Sequence, residues 1–141
     1  MKAEFTIYGN PAGKGRPRFS TRGGHITTRT PQETVLYENL VRTEYRAQTG
    51  GIKFPDGKPV CVEITAYYDI PQSVSKKERK AMLDGVLRPV KKPDADNIAK
   101  IICDSLNGIA YHDDAQIAEL VVWKFYAELP KVEVCITGEE E

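Results

Sequence analysis

Residues 94–106, Asp-Ala-Asp-Asn-Ile-Ala-Lys-Ile-Ile-Cys-Asp-Ser-Leu, are the stretch from which the rest of this 141-residue chain is best interpreted. Its large apolar residues recur at the spacing of one helical face, which predicts an amphipathic helix packed on a core. These residues are Ile98, Ile101, Ile102 and Leu106. Gly108 follows and ends the helix. Asp96 and Lys100 stand four positions apart, so they share a second, polar face.

Strands are predicted on both sides of this helix. Residues 3–8 alternate between apolar and polar, and residues 59–69 are rich in β-branched and aromatic side chains. Residues 116–126 are apolar on both faces, which is typical of a central strand covered on two sides. Residues 129–131 form a predicted turn, and residues 132–137 are expected to close the sheet as the hairpin partner of that strand.

Two further helices complete the predicted fold. Thr30, Pro31 and Glu33 are typical of a helix start, with Thr30 as the N-cap, and Gly50 ends the helix. Its expected apolar stripe consists of Val35, Leu36, Leu40 and Val41. A basic helix follows over residues 75–84, capped by Ser73 or Ser75. The order β-α-β-α-α-β-β predicts an α+β fold, a single domain over residues 1–141 with a mixed four-stranded sheet and about three helices.

Composition excludes several classes of protein. Apolar residues make up 40% and charged residues 28%, as in ordinary globular proteins, and no run approaches the roughly 20 apolar residues of a membrane span. The N-terminus lacks the apolar segment of a signal peptide, so we expect a cytoplasmic protein with no membrane partner. Cys61, Cys103 and Cys135 are odd in number and far apart, which argues against a disulfide framework or a zinc site. No organic cofactor is expected.

Charge is unevenly distributed in a chain whose formal net charge is zero. Residues 10–30 and residues 76–92 each carry a net charge of +5, whereas residues 138–141 form an acidic tail. The first basic segment has no apolar period and predicts a flexible loop. It is not a P-loop, because Gly15 follows Lys14 where Ser or Thr is required. Two basic segments favour contacts to a nucleic-acid backbone, which give affinity without reading sequence.

Four carboxylates, those of Asp94, Asp96, Asp113 and Asp114, carry the chemistry of this chain. Each has a local interpretation as a helix cap or a turn residue, but four acids repel one another unless a cation joins them. Mg²⁺ takes oxygen ligands from carboxylates and from substrate phosphate. An EF-hand is excluded, because a loop opening at Asp94 lacks the required glycine at its sixth position and glutamate at its twelfth.

The run from Lys92 to Lys100, the segment Asp104-Ser-Leu-Asn-Gly108 and the Asp113-Asp114-Ala-Gln116 segment together resemble the RusA family of Holliday junction resolvases, found in bacteria and their phages. The Gly-Lys-Gly-Arg-Pro-Arg segment near the N-terminus is similar to that family as well. The resemblance covers nearly the whole chain. It implies a homodimeric endodeoxyribonuclease, dependent on Mg²⁺ with Mn²⁺ as a substitute, that cuts four-way DNA junctions symmetrically.

The resemblance also implies roles for individual residues. Asp94, Asp96 and Asp114 correspond to the metal ligands, Lys100 to the essential helix lysine and Asp113 to a supporting acid. The basic residues and one amide assigned to DNA contact are Lys14, Arg16, Arg18, Arg22, Lys91, Lys92 and Asn97. Family members carry an aromatic residue just before the Asp-x-Asp motif, where this chain has Lys92 and Pro93.

Two other functions fit the same residues. The first is a metal-dependent nuclease that acts mainly on flaps or forks, and the second is a junction-binding module without catalysis. The intact set of carboxylates favours a junction resolvase acting in DNA recombination and repair.

Overall fold

The computed structural model describes the backbone of residues 1–15 and 18–140, and the side chains of these residues except 18–20, 22 and 27–29. Its elements are β1 (Lys2–Tyr8), β2 (Arg18–Arg22), β3 (His25–Arg29), α1 (Gln32–Thr49), β4 (Val60–Asp69), α2 (Lys76–Leu83), α3 (Ala95–Ser105), β5 (Ile117–Ala127) and β6 (Lys131–Gly138). The predicted α+β class, the mixed four-stranded sheet and the order of its elements are confirmed.

The four-stranded sheet has the order β1-β6-β4-β5. β6 runs antiparallel to both β1 and β4, whereas β5 runs parallel to β4. The predicted central position of β5 is therefore wrong, as is its predicted hairpin with β6. Strands β4 and β5 are joined through α2 and α3, and such a crossover makes them parallel neighbours. This leaves β5 at an edge of the sheet, where Leu120 and Trp123 are exposed.

One face of the sheet carries the core. Alternate residues of β1, β4 and β6 point to this face and are buried; they include Phe5, Val62, Ile64 and Val134. The apolar face of α3 packs here, and Ile98, Ile101, Ile102 and Leu106 are fully buried as predicted. The same periodicity turns the other half of each strand to the opposite face, called the outer face below.

Helix α1 buries a different stripe from the one predicted. Val41 is buried as expected, but Val35, Leu36 and Leu40 are exposed. The buried face consists of Thr34, Glu38, Val41 and Tyr45. The predicted cap is also displaced by one residue, because Pro31 rather than Thr30 is the N-cap. Glu38 in this stripe places a carboxylate in the interior, where it pairs with Lys14 as described below.

The basic segment 10–30 is not one continuous loop. β2 and β3 form an antiparallel hairpin that turns at Gly23-Gly24, so the predicted absence of secondary structure is wrong for residues 18–29. Both glycines have positive φ, a conformation available to glycine at no steric cost. Each strand contains a single large apolar residue, Phe19 or Ile26, and one such residue sets no alternating pattern, which explains why the strands escape detection from sequence.

Ser75, one of the two predicted N-caps of α2, is confirmed, since its side chain accepts a hydrogen bond from the Glu78 amide. Among the helices that the structure describes, none is both long enough and apolar enough to cross a membrane.

Candidate active site

Helix α3 presents three of the predicted site residues at its first turns. Asp94 is the N-cap, and its side chain makes no capping hydrogen bond, so its carboxylate is not committed to the helix. Asp96 and Lys100 follow on one exposed face, as the i,i+4 spacing predicts. The carboxylates near the N-terminus of α3 also benefit from the positive end of the helix dipole.

Asp96, Lys100, Asp104 and Asp114 line one open cleft of about 410 Å³ between α3 and the exposed edge of β5. Asp114 opens the short turn before β5, and its backbone amide donates to the Asn107 side chain at 2.8 Å. This bond ties the turn to the C-terminal end of α3. The structure therefore brings Asp114 to the helix that carries Asp96, although beside its last turns rather than its first.

Asp114 lies in an unfavourable electrostatic environment. Partial burial, and next the neighbouring carboxyl groups of Asp113 and Asp104, raise the pKa of Asp114 above its ordinary value. A cation bound among these oxygens would reverse the effect, because it stabilises the charged carboxylate.

Asp94 faces a second cleft, which it shares with Lys14, Lys92, Pro93 and Asn97. The Tyr68 hydroxyl donates to the carbonyl oxygen of Pro93 and so ties this segment to the end of β4. Burial, followed by the negative charge of Asp94, raises the pKa of Tyr68 to about 12. Tyr68 therefore remains a neutral hydrogen-bond donor beside the aspartate.

The predicted metal ligands thus fall on two adjoining clefts. Within residues 1–15 and 18–140, no group of three or more His, Cys, Asp or Glu side chains is close enough to hold a metal ion. Asp96 and Asp114 share a cleft, and Asp94 stands two residues before Asp96 at the same helix end. The three metal ligands predicted from sequence lie in adjoining clefts, but they are not close enough together to form a metal site.

Lys14 takes part in an internal ion-pair network. Its ammonium lies 2.9 Å from a carboxylate oxygen of Glu38 and 3.5 Å from one of Asp104. The same Asp104 oxygen lies 3.3 Å from Lys100. Asp104 is therefore shared by two lysines, one from the N-terminal segment and one from the candidate site.

Two close backbone approaches hold the N-terminal segment in this position. The Lys14 amide donates to the Asn97 carbonyl at 3.1 Å, and the Gly15 amide donates to the Thr34 hydroxyl at 3.1 Å. A Cβ on Gly13 would lie 2.9 Å from that of Pro93, so this position has no room for a side chain. Glycine at 13 serves close packing against the start of α3.

The other residues predicted to contact DNA differ in their exposure, and some of them lie outside the described residues. Lys91 and Lys92 are exposed beside Asp94, and Asn97 is half-buried in the second cleft. Arg16 lies outside the described residues, as do the side chains of Arg18 and Arg22.

Comparison with known proteins connects this geometry to a family. The model of a family described as "Endodeoxyribonuclease RusA" matches residues 8–137. The chain belongs to the RusA family. It is also 41% identical over 138 residues to a Bacillus subtilis (strain 168) protein named "Uncharacterized protein YqaN", and the match covers 94% of each chain.

Membership in the RusA family makes the chain one of a group of endodeoxyribonucleases associated with Holliday junction resolution. The matched region contains α1 to α3, β4, β5 and all but the last residue of β6, and with them both clefts.

Sequence reasoning assigned no role to two residues of the ion-pair network beside the candidate site, Glu38 and Asp104. Asp104 entered only as the first residue of a segment that resembles the RusA family. The burial of Glu38 could have been predicted from spacing, since positions 34, 38, 41 and 45 share one helical face, which includes Val41 and Tyr45. That signal was obscured because three larger apolar residues occupy a neighbouring face.

Proposed function

We propose that this protein is a Mg²⁺-dependent, structure-selective endodeoxyribonuclease that resolves Holliday junctions by paired symmetric nicks, as a homodimer in the cytoplasm. Its role would lie in DNA recombination and repair. The observation that carries the proposal is the cleft shared by Asp96, Lys100, Asp104 and Asp114 in a chain of the RusA family.

The chemistry of the donor set suits a divalent cation, which would have to draw the carboxylates together. All its acidic members supply hard oxygen ligands, and Asp114 is destabilised as an anion by the carboxyl groups around it. Asp94, Asp96 and Asp114 would hold Mg²⁺ or Mn²⁺. When bound, such an ion lowers the pKa of a coordinated water and neutralises charge on a phosphate.

Lys100 would orient the scissile phosphate and stabilise its developing negative charge. Its ammonium is exposed at the mouth of the cleft and paired only with Asp104 among the described residues. When Lys100 turns toward a phosphate, Lys14 remains beside Asp104 and compensates its charge. Asp113 would act as a supporting acid whose carboxyl group raises the pKa of Asp114.

Lys91, Lys92 and Asn97 would hold DNA backbone on the side of Asp94, together with Arg16, Arg18 and Arg22 of the basic segment 10–30. Contacts of this kind position a duplex without reading its sequence. A homodimer suits a four-way junction, because two-fold symmetry presents one site to each of two strands.

A nicking assay tests the proposal. Wild type and Asp96→Asn are incubated with a fixed synthetic four-way junction, with and without Mg²⁺. Asp84→Asn, at the exposed C-terminal end of α2, lines neither cleft and supplies the matched control for the loss of one negative charge. We expect nicking by wild type and Asp84→Asn only with Mg²⁺, and none by Asp96→Asn. Equal cleavage by all three proteins would contradict the proposed mechanism.

A panel of flaps, forks and four-way junctions separates the proposal from its nearest alternative. Lys92 and Pro93 stand where other family members carry an aromatic residue, so a preference for flaps or forks is the specific alternative outcome. Junction binding without cleavage of any substrate would instead indicate a binding module.

A further inference from the structure

The outer face of the sheet carries a row of aromatic and basic side chains that the proposed nuclease activity does not use. Tyr8, Lys131, Tyr67 and Phe125 are paired in register across all four strands. Each belongs to the alternate set that points away from the core. This set of four is called the aromatic row below.

Two of the rings in the row stack on each other, and a cation lies over each of them. The Tyr67 and Phe125 rings stack with centroids 6.2 Å apart. The Lys131 ammonium lies 5.3 Å from the Tyr67 ring, and the Arg88 guanidinium lies 3.8 Å from the Phe125 ring. Tyr8 is 61% exposed at the end of the row. The guanidinium plane of Arg88 is itself a surface on which a base can stack.

The row is connected to the candidate active site by a short segment. Arg88 donates to the carbonyl oxygen of Lys124, and Lys124 in turn donates to that of Lys91. Lys124 points to the helix side of the sheet, where its ammonium lies over the Tyr68 ring. Residues 88–91 therefore pass around the edge of β5, from the outer face to Lys92 and Asp94.

We infer that the aromatic row binds unpaired bases of a nucleic-acid strand that leaves the candidate active site. Bases would stack on Tyr8, Tyr67 and Arg88, and phosphates would pair with Arg88 and Lys131. Surfaces that combine aromatic rings with cations bind single strands in this way. The inference rests on the proposed function, since it names the part of a branched substrate that this face holds.

The rest of the outer face argues against a duplex. Glu133, Glu63 and Glu4 lie beyond the row, and Glu133 pairs with Lys131 at 3.5 Å. A single strand can follow the row and displace this exposed ion pair at little cost. A wide duplex would meet the acids, whose negative charges repel its phosphates.

Trp123 provides a local probe, because it is the only tryptophan in the chain and lies on the outer face, two residues before Phe125. It is 39% exposed. Short oligothymidylate, added without Mg²⁺, should quench its fluorescence. An abasic oligomer of the same length should bind much more weakly, because it has phosphates but no bases.

Variants at the end of the row test the stacking directly. Tyr8→Ala should weaken oligothymidylate binding about tenfold, the value expected for loss of one stacked base. Tyr8→Phe should restore it. Thr137→Ala, on the same face at the opposite end of β6, should bind like wild type.

Three results would overturn the inference: no quenching by oligothymidylate, equal binding of the abasic oligomer, or unchanged affinity in Tyr8→Ala. The two proposals fail separately. Junction nicking by a wild-type protein that shows no quenching refutes the base-stacking row alone, whereas quenching without cleavage of any branched DNA refutes the nuclease alone.

Discussion

Replacing Lys14 by methionine should destabilise the fold far more than replacing Lys80, although both lysines make an ion pair of the same length. The Lys14–Glu38 and Lys80–Asp84 pairs each have an N–O distance of 2.9 Å. Side-chain exposure is 23% and 11% in the first pair, but 80% and 53% in the second. Burial therefore distinguishes the pairs.

The expected magnitudes follow from what each variant leaves behind. Loss of Lys80 removes a solvated i,i+4 pair, worth about 0.5 kcal/mol or less. Loss of Lys14 leaves the carboxylate of Glu38 nearly buried without its cation, and Asp104 loses one of its two lysines. Breaking a fully buried pair costs about 3–5 kcal/mol, so a pair that retains some exposure should cost about 2 kcal/mol.

Urea unfolding, followed by circular dichroism, measures both free energies of unfolding with comparable slopes. A double variant, Lys14→Met with Glu38→Leu, removes both charges and should recover most of the loss. If Lys14→Met costs no more than Lys80→Met, or if the double variant is no more stable than Lys14→Met, the reasoning from burial is refuted.

Three other variants or measurements test separate contacts. Burial raises the pKa of Cys103 to about 11, so about a thousandth of this thiol is ionised at pH 8 and iodoacetamide should label it last; rapid labelling would contradict this. Because the pKa is raised in the folded state, the stability that this thiol contributes is present below about pH 9 and is lost as the pH rises through about 11. Tyr111→Phe removes a buried hydrogen bond of 2.7 Å to the Cys103 carbonyl and should cost about 1 kcal/mol in urea unfolding, whereas no change would mean that the bond contributes nothing. Gly13→Ala forces a Cβ to within 2.9 Å of Pro93, so it should cost about 1–3 kcal/mol and reduce junction nicking; a fully active, equally stable variant would show that the segment can move aside.

Local patterns in the sequence were sufficient for most elements of the fold. The apolar spacing of α3 and the alternation of β1 and β4 depend on which side of an element meets the core, and a single helix or strand carries that information itself. The Ser75 cap and the Gly50 end of α1 are likewise local, because the capping bonds join residues a few positions apart. Asp96 and Lys100 share a face for the same reason.

Contacts between distant segments could not be predicted from local patterns in the sequence. The edge position of β5 depends on β6 entering the sheet between β1 and β4, and no residue of β5 encodes that order. Its apolar outer residues were therefore interpreted as a second buried face. In the same way, Glu38 is explained only by Lys14, which lies 24 positions earlier in the chain.

The sequence by itself thus determined the family resemblance, the set of acids and Lys100, since these depend on residue identity and on short spacings. Tertiary structure alone decided that Asp114 lies beside Asp104, that Asp94 faces an adjoining cleft, and that Lys14 is held inside by Glu38. The physical reason is that charges separated along the chain become coupled only when packing removes the water between them.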